Sequence, residues 1–209
     1  MFSEATRTIK PHYEYLGWKN EASGVERWLG VGVFVSKNVF LTVNHVIDGY
    51  ENRGFLLFQE GYVRDSSVIF SDKEHDFAIL VAGDSQKKVA DTESKDTNDF
   101  PYPLVERIFP QQGTSVGYLS RFSRPRSGNG DSSYTMFTAS HISFHLYDEP
   151  GKFIALCPAF AEPGFSGSPV FTTQRQLVGL ISQGYEFTRR SQMLDVTNVP
   201  IVASIYPHI

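Results

Sequence analysis

The run Gly164-Phe165-Ser166-Gly167-Ser168-Pro169 sets a serine among glycines, directly before Val170-Phe171 and a turn. Glycines at both nearby positions suit a sharp turn that presents a hydroxyl and leaves backbone N–H groups free to face a developing oxyanion. Alone, such a run is most often a plain turn. Two other stretches change its weight. In Val39-Phe40-Leu41-Thr42-Val43-Asn44-His45-Val46-Ile47 a histidine stands where an apolar strand ends, and in Glu74-His75-Asp76-Phe77-Ala78-Ile79-Leu80 an aspartate directly precedes another apolar run. A serine hydroxyl is a weak nucleophile. It needs a general base, and the base needs an acid that fixes its tautomer and stabilises its charged form. His45, Asp76 and Ser166, in that order and each at a strand edge, are residues of the types required.

The elements that must position them read as strands. Gly30–Val35, Gly54–Phe58, Ser67–Phe70, Phe77–Val81, Tyr134–Thr138, Phe153–Leu156, Pro169–Phe171 and Leu177–Ile181 are short, rich in β-branched and aromatic residues, and bounded by turn residues. Ser36-Lys37-Asn38 and Thr173-Gln174-Arg175-Gln176 read as hairpin turns. No segment sustains the apolar period of a long helix, so the chain is expected to be all-β. From Gly83 to Pro103 apolar residues almost vanish. This predicts an N-terminal β-domain over 1–82 with His45 and Asp76, a linker over 83–103, and a C-terminal β-domain over 104–209 with Ser166. A cleft between two such domains would bring the three residues together. A second polar loop is expected over Ser120–Ser133.

Composition narrows the partners. Of 209 residues 41% are hydrophobic and 20% charged, ordinary for a globular protein, and the net charge of −4 is mixed along the chain. That balance gives no reason to invoke nucleic acid or an anionic membrane. Arg121, Arg124 and Arg126 lie among Ser, Gly and Pro and read as a solvated loop. The single cysteine, Cys157, reads as a strand residue and leaves no intramolecular disulfide. With no basic-then-apolar leader at the start and no long apolar run, a reducing, cytoplasmic setting is expected. His12, His141, His145 and His208 show no metal-site spacing, so no metal and no cofactor is expected. His75 is expected to be exposed, turned away from its neighbour's face.

With these residues in view, the sequence resembles the chymotrypsin/trypsin-like serine peptidases, closest to their compact, disulfide-free, HtrA-type bacterial members. The likeness is carried by Gly30–Val35, Leu41-Thr42-Val43-Asn44-His45-Val46, Asp76–Leu80, Gly164–Pro169 and Leu177–Gly184, which follow the family's order. The resemblance implies two six-stranded antiparallel β-barrels with the active site in the cleft between them, and activity as an endopeptidase on protein or peptide substrates. It implies His45 as base, Asp76 as its partner and Ser166 as nucleophile, with the N–H groups of Gly164 and Ser166 as oxyanion hole. Ser182-Gln183-Gly184 would pair with the substrate backbone, and Phe160 would lie at the bottom of an apolar primary pocket. The order of the three residues argues against an α/β-hydrolase.

The departures bear on activation. Phe165 replaces the aspartate that precedes the nucleophile in the trypsin branch, so the hole must be ordered by packing, by a partner or by self-association. Ser168 replaces a usual glycine, with no loss of chemistry expected, and Asn44 a usual alanine. The chain closes on what reads as a last strand, so no peptide-binding domain of the HtrA kind is expected within it. A catalytically silent or latent module of the same fold, acting by protein binding, stays open as the alternative.

Overall fold

The computed structural model describes residues 2–19, 26–50, 54–59, 62–88, 101–105, 111–124, 132–145, 153–157, 164–187 and 196–204. The first half contains helix α1 (Ser3–Ile9), a 3₁₀ turn at Lys10–His12, and strands β1 (Tyr13–Lys19), β2 (Glu26–Phe34) and β3 (Val39–Thr42). The one-turn helix α2 (Asn44–Ile47) follows, then β4 (Phe55–Gln59), β5 (Tyr62–Asp72) and β6 (Phe77–Lys88). The strands close a barrel in the order β1-β2-β3-β6-β5-β4, every pair antiparallel. Side chains alternate across such strands. Ala78, Leu80 and Ala82 of β6 are buried while Ile79 and Val81 are half-buried, and Phe55 and Leu57 of β4 behave likewise beside Leu56 and Phe58.

The second half contains β7 (Leu104–Val105), β8 (Ser115–Arg124), β9 (Ser132–His145), β10 (Phe153–Cys157), β11 (Pro169–Thr172), β12 (Gln176–Phe187) and β13 (Val196–Ser204). Six of them run β11-β8-β9-β10-β13-β12, and the pairing of β11 with β12 completes the ring; β7 adds to β12 in parallel. The architecture is the expected double barrel. Val116, Tyr118, Ile142, Phe165, Val170, Val178, Ile181 and Val202 fill the second barrel. The core of the first barrel does not stop at its own strands. It continues into Leu119, Phe171, Leu177 and Leu180, so the seam between the barrels is apolar.

Three features differ from the sequence expectation. Helix α1 was not foreseen; it buries Ala5, Thr8 and Ile9, while Phe2 packs its ring on Phe137 and Phe171 of the second barrel (centroids 5.3 and 6.4 Å). Gly117 of β8 makes room there, since a Cβ would lie 2.4 Å from the Phe137 ring. The polar stretch Ser120–Ser133 is not all loop, because Ser120–Arg124 belong to β8 and Ser132 and Ser133 to β9. Arg121 and Arg124 are therefore strand residues, and Arg126 lies outside the described residues. Strand β6 runs on to Lys88, inside the expected linker, of which 89–100 lie outside the described residues.

Both expected hairpins are present. The β2–β3 turn closes with Val35 N–H on Val39 O (2.9 Å), and the β11–β12 turn with Arg175 N–H on Thr172 O (3.1 Å). A buried cation steadies the first. Arg64 of β5 is 4% exposed and donates to Lys37 O (2.7 Å), Asn38 Oδ1 (2.6 Å) and Gly83 O (2.8 Å), with its guanidinium over the Phe34 ring. Burial lowers its pKa, against the opposing pull of Asp84, yet a guanidinium stays charged. Removing it strands buried acceptors, which costs roughly 1–3 kcal/mol. Arg64→Leu should therefore lower the unfolding free energy in urea by about 2 kcal/mol; an unchanged midpoint would show that the carbonyls find water instead.

Candidate active site

His45 stands in α2, directly after the buried strand β3. Val43, at the N-cap of α2, has no side chain able to cap it. The carboxylate of Asp76 takes that place from 31 residues away: Oδ1 accepts the backbone N–H of His45 (2.8 Å) and Oδ2 lies 2.8 Å from His45 Nδ1. A carboxylate only accepts, so in the neutral ring the proton sits on Nδ1 and the lone pair on Nε2. The His45 side chain is 46% exposed, the Asp76 side chain 16%. Asn44, where alanine is usual, is buried and accepts a bond from Ser71 Oγ of β5 (2.6 Å).

Asp76 closes the four-residue turn between β5 and β6 in the left-handed region, φ 52°, a conformation that Asp tolerates better than most residues. Asp72 shapes this turn: its Oδ1 accepts the N–H groups of Glu74 (2.9 Å) and His75 (3.1 Å), and its Oδ2 lies 2.6 Å from His75 Nδ1. His75 is thus drawn down to 20% exposure rather than pointing into solvent as expected. Burial raises the pKa of Asp76, but the bonds from the His45 ring, the Ser182 hydroxyl and the His45 amide outweigh it and hold the carboxyl below its usual range. Asp72 is lowered in the same way, its burial opposed by the His75 and Glu74 contacts.

Ser166 lies in the turn before β11. Gly164 (φ 98°) and Gly167 (φ 90°) both occupy the left-handed region. Ser168 N–H closes the turn on Phe165 O (2.9 Å), and Gly167 N–H and Ser168 O bond Ile181 of β12 (2.8 and 2.9 Å). Phe165 is 1% exposed inside the second barrel, against Tyr118, so packing orders this loop. Among the described residues, the amides of Gly164 and Ser166 donate to no protein acceptor. The other barrel approaches from the opposite side. Val31 N–H donates to Ser166 O (3.2 Å), and Thr42 Oγ1 donates to Val31 O (2.8 Å). A Cβ on Gly167 would lie 1.9 Å from that Val31 oxygen.

Ser182 joins the two sides. Its hydroxyl donates a short hydrogen bond to Asp76 Oδ2, and its carbonyl accepts from Ser166 Oγ at 3.5 Å. His45, Asp76 and Ser166 are thereby linked through one residue. Ser166 Oγ makes no bond to His45 among the described residues. Gln183 and Gly184 follow in β12 opposite Ile201 and Pro200 of β13. The pairings of β12 with β11 stop at Leu180, so the other edge of 182–184 carries no strand among the described residues. Phe160 lies outside the described residues. The sequence placed Ser182 only by its backbone; its hydroxyl contact with Asp76, 106 residues away, has no local signature.

A family model described as the trypsin-like peptidase domain matches residues 30–180, most of the chain and the span that holds His45, Asp76 and Ser166. The chain belongs to that family. Among solved structures it is similar to the serine endoprotease from Yersinia pestis, with TM-score 0.66 and 18% identity over 100% of this chain. It spans 64% of that protein's length. A protease of M. tuberculosis in its active form superposes with TM-score 0.64 and 17% identity over 97% of this chain and 79% of that one. At these identities the likeness speaks for the fold.

Two outcomes follow from this geometry. A folded-state pKa below the ordinary aspartate value of about 4 means that Asp76 stabilises the protein fully above that pH and progressively less as pH falls through its folded value. Urea midpoints measured between pH 7 and 3 should fall on the acid side more steeply for wild type than for Asp76→Asn; parallel curves would exclude Asp76 from the acid transition. Gly167→Ala should cost more than about 2 kcal/mol, because both φ and the Val31 carbonyl oppose a methyl group. A near-neutral Gly167→Ala in denaturant titration would mean that the seam yields.

Proposed function

We propose that the protein is a serine endopeptidase that hydrolyses peptide bonds through an acyl-enzyme on Ser166. The observation that carries the reading is the Asp76 carboxylate, which holds the ring and amide of His45 while tied through Ser182 to Ser166. Ser166 Oγ attacks the scissile carbonyl carbon as its proton passes to His45 Nε2. Asp76 fixes the ring and stabilises the imidazolium that forms. The negative carbonyl oxygen is met by the N–H groups of Gly164 and Ser166. Collapse breaks the C–N bond, His45 returns its proton to the leaving amine, and water repeats the sequence on the ester. The open edge of Ser182-Gln183-Gly184 supports an extended peptide pairing there as an added strand. The apolar Phe160 position supports an uncharged residue before the cut. The single cysteine supports action in a reducing, cytoplasmic setting.

One observation favours a second reading. Ser166 Oγ bonds the Ser182 carbonyl rather than His45, as in a latent or silent module that works by binding protein. A fluorophosphonate probe separates the two, because it reacts only with a hydroxyl activated by its base. Labelling of wild type, lost in Ser166→Ala and His45→Ala, is the expected result; an unlabelled wild type would favour the silent module. Ser182→Ala should slow labelling about tenfold, since a bond to a charged acceptor contributes about 1.5–3 kcal/mol.

A further inference from the structure

We propose that Tyr13 and Ser168 are a positioning pair that sets the nucleophile turn against the barrel carrying the base, an inference that rests on the peptidase reading above. Tyr13 OH and Ser168 Oγ lie 3.0 Å apart, 155 residues apart in sequence. Both residues are 0% exposed. Tyr13 opens β1, opposite Val33 of β2. Ser168 is two residues past Ser166, and its backbone is already engaged on both sides, its N–H with Phe165 O and its O with Ile181 N–H. A glycine would supply those backbone contacts equally well. The hydroxymethyl of Ser168 adds one thing, a bond to the other barrel.

That bond lies where the turn most needs one. Between Ser166 and Ser168 stands Gly167 at φ 90°, the most permissive residue available. A second hydrogen bond from the first barrel to this turn is Val31 N–H on Ser166 O, at 3.2 Å. His45 belongs to the first barrel and Ser166 to the second. A slip of about 1 Å along the seam can cost on the order of a hundredfold in rate when reacting groups must align. Two buried hydroxyls bonded to each other across such a seam favour one relative placement, because a slip breaks their bond inside an apolar interior, where it costs most. Tyr13 and Ser168 touch no reacting atom; they act through the turn.

The test is a double-mutant cycle on the inactivation rate by a fluorophosphonate, per folded molecule, for wild type, Tyr13→Phe, Ser168→Gly and the double variant. Ser168→Gly restores a residue that suits the turn and keeps the test alive should Tyr13→Phe fold poorly. Each single variant should react about tenfold more slowly, with the probe's half-saturation concentration and the pH midpoint unchanged, and the double should be no slower than either single. Wild-type rates in both singles, or losses that multiply in the double, would overturn the inference. If wild type itself does not react, the peptidase reading fails separately, and amide exchange across 164–169 decides the pair. Exchange accelerated equally in both singles and no further in the double supports it; unchanged exchange overturns it.

Discussion

Where the two barrels meet, there is no room for a side chain. The carbonyl of Val31 fills the space a Cβ on Gly167 would need, and the Thr42 hydroxyl holds that carbonyl in place. The amide of the same Val31 holds the carbonyl of Ser166. Thr42 ends β3, directly before the segment of His45, so one residue of β2 lies between the segments of His45 and Ser166. Close packing transmits small displacements rather than absorbing them. The apolar core that crosses the seam into Phe171, Leu177 and Leu180 makes the contact continuous with the interior of the first barrel. Around this contact the remaining site geometry is arranged.

Within it, the electrostatics centre on one carboxylate. A half-buried aspartate without donors would be costly to keep charged. Asp76 accepts three donors, two from His45 and one from Ser182, and they more than offset its burial. The same three bonds define geometry. They cap a helix that has no cap of its own, fix a ring tautomer, and tie the strand beyond Ser166 to the first barrel. Asp72 does for the turn what Asp76 does for the site, gathering two amides and a histidine so that the next acid emerges in the left-handed conformation.

The pairing of His45 with Asp76 and the glycine-flanked turn of Ser166 were legible because each lies at a strand edge with neighbours that mark it, and the double barrel because short alternating strands recur on both sides of a polar gap. What escaped had physical reasons. Helix α1 is 7 residues long, too short to display a helical period, and its Ala5 and Ile9 join a core assembled from distant strands. The far arms of β8 and β9, Arg121–Arg124 opposite Thr135–Ser132, pair with each other beyond the reach of β11, which bonds β8 only at Val116–Tyr118. A ribbon of that kind needs no apolar face, so Ser and Arg suffice and the stretch reads as loop. Hydroxyl partners such as Ser182 with Asp76 and Tyr13 with Ser168 depend on the tertiary fold and leave no mark on local sequence.

The spacing of these contacts along the chain also orders them in time. The bond of His45 to Asp76 spans 31 residues, that of Asp76 to Ser182 spans 106, and that of Tyr13 to Ser168 spans 155. Contacts between distant segments form more slowly than local ones, and a ribosome delivers the N-terminal half first. The histidine and its acid can therefore meet as soon as β6 has emerged, whereas the serine turn waits for β12 and for the N-terminal strand to find it. A half-made chain therefore holds the His45–Asp76 pair with no Ser166 turn beside it, and the seam between the barrels closes last.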